Sequence, residues 1–212
     1  ERVTFVKYMV RAYVLCLVVF LLFVSLPQEL YASSNSARVY LEKARACKKK
    51  LYGSAAKKKY RHNWERCIRG HEKVYKEFPR TDEAVYAKLG AGELWTYLYR
   101  YSGKESDIDT AISLYREVVK HHQDHRLADD AQYRLGEIFY KYKKEPTQAY
   151  VEFLKVEVKF PKGDMRTRAA NMMNQLERVL GKRLVAEEQP KRETAEKKQV
   201  VVVKDIRHWS TP

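Results

Sequence analysis

His121 and His125 stand four residues apart, with His122 and Asp124 between them. On a helix that spacing places two imidazoles on one face, where they can share a zinc ion. Hydrolytic zinc chemistry also needs a carboxylate as general base, and no glutamate lies between these histidines. The stretch His121-His122-Gln123-Asp124-His125 is moreover a polar break between two apolar-periodic segments, not a helix interior. Packing accounts for it, and no metal site is expected. Residues 33–181 carry no pattern of a nucleophile elbow, a phosphate-binding loop or a catalytic acid pair. The residue types point to binding, with no catalytic residue and no cofactor in this chain.

Cysteine chemistry gives a second test. Cys47 and Cys67 are the pair outside the apolar N-terminal run that holds Cys16. Counted from a turn at Gly53, Cys47 lies about six residues before it and Cys67 about fourteen after it, so antiparallel helices would hold them beyond the roughly 7 Å that a bridge can span. Two buried or unpaired thiols are the expectation. The formal net charge is +15, and Lys48–Lys50 and Lys57–Lys59 are interleaved with Tyr52, Tyr60 and Trp64. Basic residues among aromatics can bind nucleic acid. Lysine runs on helices, however, are solvated faces in most proteins. With the export signal described below, an envelope polyanion suits the charge, and no nucleic-acid partner is expected.

The elements that must position these residues are helices. Ala111, Tyr115 and Val118 form one apolar face at spacings of four and three. Ala131, Leu135, Ile138 and Phe139 form another after the polar break, which predicts a helix hairpin over Ala111 to Phe139. The pattern recurs. Ala149, Phe153 and Val156 match the first face downstream, and Cys67, His71 and Val74 match it upstream. Ala169, Met173 and Leu176 match the second face downstream, while Ala87, Ala91 and Leu94 match it upstream. Gly92-Glu93-Leu94 answers to Gly136-Glu137-Ile138, and His122 takes the place of Phe78 and Phe160. Residues 102–107 are an insert that lengthens the first period. Such periods mean stacked helical hairpins. Ala37 to Leu51 and Lys57 to Phe78 are expected to form the first hairpin, and residues 166–180 the last helix.

Leu135-Gly136, Phe139, Ala149, Phe153 and Pro161 resemble the signature of the tetratricopeptide repeat, whose period is roughly 34 residues. The resemblance covers about residues 67–180. It implies an all-α fold: a tetratricopeptide-like superhelix of antiparallel hairpins over residues 37–181. Gly136 and Ala149 would let the two helices of a hairpin approach closely. By the same resemblance the first helix of each pair lines a groove. That nominates Tyr86, Glu93 and Thr96 from one repeat and Asp130, Tyr133, Glu137 and Tyr140 from the next as a peptide groove. Acids beside tyrosines suit a basic or extended peptide.

The two ends of the chain differ from the repeats. Lys7 and Arg11 precede an uncharged apolar run over residues 12–26, and Pro27 and the small Ala32 follow it. This reads as a secretory signal over residues 1–32, or as an uncleaved membrane anchor. Residues 182–199 are nearly all charged or polar and read as a linker. Val200–Val203 is a strand candidate. The segment VKDIRHWSTP at residues 203–212 resembles the opening strand of the AMIN domain, the β-sandwich module that precedes the catalytic domain in many Gram-negative N-acetylmuramoyl-L-alanine amidases. The order of signal, helical repeats, charged linker and AMIN start matches a subset of those enzymes.

That resemblance implies a periplasmic parent enzyme. Its zinc, held by His and Glu side chains of a further domain, would activate water to hydrolyse the amide between muramic acid and L-alanine. The chain is expected to continue past Pro212 into that domain and to be inactive without it. Its partners would be an envelope protein or peptide in the repeat groove and, through the parent, peptidoglycan. Contact with the membrane would be through the signal or anchor segment alone. The alternative expectation is a free-standing, non-enzymatic repeat scaffold of the cell envelope.

Overall fold

The computed structural model describes residues 11, 13–17 and 34–181. The described residues are all-α, with no strand among them. The signal expected over residues 1–32 lies almost wholly outside them, as do the linker at 182–199 and the strand at 200–203. No helix of the described residues is long and apolar enough to cross a membrane.

Residues 13–17 are helical, and from residue 34 the helices are in order α1 (34–52), α2 (Ala55–Lys58), α3 (Arg61–Glu77), α4 (Asp82–Ser102), α5 (Glu105–His121), α6 (Ala128–Ile138), α7 (Pro146–Lys159) and α8 (166–181). The last turn of α6 widens into a π-helical stretch, Phe139–Lys143. The helices fall into two compact units, one through Leu127 and one from Ala128.

The periodic positions are the core. Cys67, His71 and Val74 of α3, Ala111, Tyr115 and Val118 of α5, and Ala149, Phe153 and Val156 of α7 are all buried. So are Ala87, Ala91 and Leu94, then Ala131, Leu135 and Ile138, then Ala169, Met173 and Leu176. The repeat also shows at the helix ends. Phe78, His122 and Phe160 cap α3, α5 and α7 with nearly one geometry, at φ −126°, −135° and −125°. Each cap donates its N–H to the carbonyl of a valine four residues back: Val74, Val118 and Val156. The helices after the first two of these turns carry Asp82 and Glu83, and Asp129 and Asp130, in their first turns, where carboxylates complement the helix dipole.

Small residues set the spacing between consecutive helices. A Cβ on Gly92 would come within 2.8 Å of the Tyr115 ring, and a Cβ on Gly136 within 2.5 Å of the Phe153 ring. Gly90 faces the His71 ring in the same way, at 2.5 Å. In each unit an aromatic or imidazole ring of one helix lies against a glycine of its neighbour. The expected close approach at Gly136 is thus observed, with Ala149 fully buried. Gly163 in the turn after α7 abuts the Asp129 carboxylate, which accepts the Met165 N–H at 3.1 Å and so ties that turn to α6.

The expected pair of unpaired thiols is wrong. Cys47 and Cys67 form a disulfide, with their Cα atoms 5.4 Å apart. The error lay in the connector. The second helix does not begin at Lys57. Residues 53–60 are taken up by a turn, the four-residue α2 and a further break, so α3 starts at Arg61. Cys47 and Cys67 therefore lie at similar depths from the facing ends of α1 and α3. Ser54 caps α2, accepting the Lys57 N–H at 3.3 Å. Trp64 Nε1 donates to the Lys58 carbonyl at 2.8 Å and holds α2 against α3.

The closed loop spans 20 residues. A loop of that size restrains the unfolded chain by about 3 kcal/mol. Reduction, or Cys67→Ser, is expected to lower the urea midpoint of the unit through Leu127 accordingly. An identical midpoint with and without reductant would show that the bridge adds nothing to stability.

Candidate functional site

The residues nominated for a groove, Tyr86, Glu93 and Thr96 on α4 and Asp130, Tyr133, Glu137 and Tyr140 on α6 and its π-helical end, are each half-buried. Helical spacing keeps each set on its own helix face. The two sets belong to different compact units.

On α4, Glu93 accepts from Lys48 Nζ at 2.9 Å and from the Tyr52 hydroxyl at 3.3 Å. Burial, with Glu93 beside it, pushes the Tyr52 phenol far above its ordinary range. Thr96 donates its hydroxyl back to the Gly92 carbonyl at 2.8 Å. Tyr86 is held by two guanidinium groups. Arg45 and Arg126 lie over its ring at 5.1 and 5.3 Å, and Arg126 Nε donates to its hydroxyl at 2.8 Å.

On α6, Glu137 accepts from Arg134 at 2.7 Å and from Lys141 at 2.6 Å. Burial alone would raise its carboxyl, but the hydrogen bond from Lys141 and the charges of Arg134 and Lys141 bring it below the ordinary range. Tyr133 packs on Phe153 with ring centres 5.3 Å apart, and burial, then Glu137, raises its phenol. The Tyr140 hydroxyl accepts from Gln175 at 3.2 Å. Asp130 lies with Asp129 and Asp164, whose oxygens approach within 4.8 Å of one another. Asp129 uses its oxygens on the backbone N–H groups of Asp130 and Met165, at 3.0 and 3.1 Å.

Both acids on which a basic peptide was expected to dock thus already hold cations of their own chain. An incoming basic group must exchange with Lys48, or with Arg134 and Lys141. None of these contacts pairs a nucleophile with a base.

The histidines do not converge as a metal site. His122 is a helix cap, and His125 Nδ1 accepts the Leu127 N–H at 3.1 Å. Its ring meets Tyr86 edge-on at 5.6 Å. Burial, with nearby cations, lowers the pKa of both imidazoles. They line a shallow cleft of about 720 Å³ together with Asp82, Arg80 and Arg126.

Sequence reasoning missed two further arrangements. Arg61 of α3 reaches the buried Asp107 of α5 across α4, and the insert at residues 102–107 supplies both Ser102 and Asp107 to that contact. At the C-terminal end of α4, Tyr97, Arg100 and Tyr101 meet Tyr52, Lys58 and Trp64 around a second cleft. The aromatic and basic spacing near Lys57–Lys59 hinted at the second but gave no partner on α4. No family model matches the chain, and neither a curated protein nor a solved structure matches it significantly.

Proposed function

We propose that this chain is the non-catalytic N-terminal region of a periplasmic, zinc-dependent N-acetylmuramoyl-L-alanine amidase. In this reading a tetratricopeptide-like superhelix captures an envelope protein or peptide while the rest of the parent acts on peptidoglycan. The observation that carries the repeat reading is the triple recurrence of one helix end at Phe78, His122 and Phe160, the first two followed by helices with acids in their first turns and all three by helices with small buried residues such as Ala87, Ala131 and Ala169. The disulfide supports export, since such bonds persist in oxidising compartments. The amidase reading rests on the resemblance of residues 203–212 and on the order of segments along the chain.

The face of α4 would hold a partner through Tyr86 and Glu93, and the face of α6 would do so on its own unit through Tyr133 and Glu137. Glu93→Lys with Glu137→Lys reverses two charges beside resident cations. Capture of a basic peptide or envelope protein should fall at least about tenfold, measured by titration on the oxidised chain. Undiminished capture would remove the groove from the proposal. The parent is tested by the coding sequence beyond Pro212. Strand-rich sequence followed by His and Glu zinc ligands is expected, and an immediate stop codon would end the amidase reading.

A further inference from the structure

At the far end of α4 from Tyr86, a cleft of about 500 Å³ is lined by Tyr52, Lys58, Trp64, Tyr97, Arg100 and Tyr101. Trp64 is its floor, 1% exposed, while Tyr97 and Tyr101 are walls at 36% and 56%. The rings form a continuous run. Tyr97 meets Tyr52 at 5.2 Å, Tyr52 meets Trp64 at 6.0 Å, and Trp64 meets Tyr101 at 5.4 Å. Beneath them lie Leu51, Ile68, Leu94 and Leu98 with the Cys47–Cys67 bridge. The floor is therefore fixed before any ligand arrives, which cuts the entropy cost of binding.

The charge at this cleft is one-sided. Its charged lining residues are Lys58 and Arg100, and no acid lines it. Neither cation forms an ion pair among the described residues, whereas Lys48, Arg61 and Lys88 in the same unit pair with Glu93, Asp107 and Glu117. The Arg100 guanidinium lies over the Tyr97 ring at 5.4 Å, level with the wall. A row of aromatic faces takes the rings of a polyproline II segment, whose backbone carbonyls are unpaired and can accept from tyrosine hydroxyls at the rim. Two unneutralised cations beside that row select carboxylates and repel a basic peptide.

We propose that this cleft binds an extended, proline-containing acidic peptide, its prolines on the exposed rings of Tyr97 and Tyr101 above the buried Trp64 and its carboxylates on Lys58 and Arg100. This site uses neither Tyr86 nor Glu137 and does not depend on the amidase reading. The same rings and cations could stack the bases of a single-stranded nucleic acid. The disulfide in the cleft's own core argues against that, because it belongs to a compartment where nucleic acid is not the common partner.

The test uses the oxidised full chain and the peptide acetyl-EPPEPPEPP-amide, in which the three-residue turn of polyproline II aligns the glutamates. Titration followed by the Trp64 indole N–H resonance and by calorimetry should show saturable binding. Arg100→Glu and Tyr101→Ala should each weaken it by roughly tenfold or more, with circular dichroism unchanged. A peptide with lysine for each glutamate should not bind. No saturation, equal binding of the lysine peptide, or unchanged affinity in both variants would overturn the assignment. So would an oligothymidine that binds more tightly and displaces the peptide.

Discussion

Phe153→Ala is expected to destabilise the unit from Ala128 by about 3–5 kcal/mol, the range for emptying a fully buried aromatic site. Phe153 is 0% exposed, packs on Tyr133 and covers Gly136. Gly136→Ala should also destabilise, because its Cβ would fall 2.5 Å from the ring. Overpacking of that kind costs about 1–3 kcal/mol. The two effects should not add. With the ring gone, the alanine methyl no longer meets those ring atoms and regains helix propensity of about 1 kcal/mol over glycine. Chemical denaturation of both single variants and the double variant gives the coupling. Additivity within about 0.5 kcal/mol would show that the glycine does not seat the ring.

Arg61→Ala should be the second large effect, at about 3 kcal/mol, since it strands a buried carboxylate. Asp107 is 1% exposed and accepts from Arg61 at 2.7 and 2.8 Å and from Ser102 at 2.7 Å. Burial pushes its carboxyl up, but the hydrogen bonds from Arg61 and Ser102 and the Arg61 charge outweigh it, so the folded group titrates below the ordinary range. The sign follows. A carboxyl depressed in the folded state adds stability that is complete above its unfolded pKa of about 4 and is lost as pH falls through the folded value. Asp107→Asn should lower stability at pH 7 and flatten the acid limb below about pH 4. An acid limb identical to that of the parent sequence would refute this role for the pair.

The helical faces were legible because their period needs no knowledge of partners. Ala111, Tyr115 and Val118 are buried for the reason the spacing predicts, and His122 sits where Phe78 and Phe160 do. The glycine beneath Phe153 was legible for the same reason. What could not be read was the geometry of connectors. Nothing periodic marks the break at Tyr60 that starts α3 anew, so counting straight through it set Cys67 at the wrong height. The Arg61–Asp107 contact and the cleft on Trp64 share that cause, since each joins side chains whose meeting depends on where α2 ends. Among the nominated groove residues, the half-buried positions followed from the helix face. That Lys48, Arg134 and Lys141 would occupy the acids did not, because an ion pair leaves no period in the sequence.

The ring-on-glycine seats join partners close along the chain. His71 and Gly90, Tyr115 and Gly92, Phe153 and Gly136, and Cys47 and Cys67 are all roughly twenty residues apart. Closing so short a loop takes well under a microsecond, and chains dominated by such contacts reach their native state in microseconds to milliseconds. Oxidation of thiols is slower, taking seconds or longer. The bridge therefore records an encounter the folding chain has already made, and the helices arrive before the covalent bond that later holds two of them.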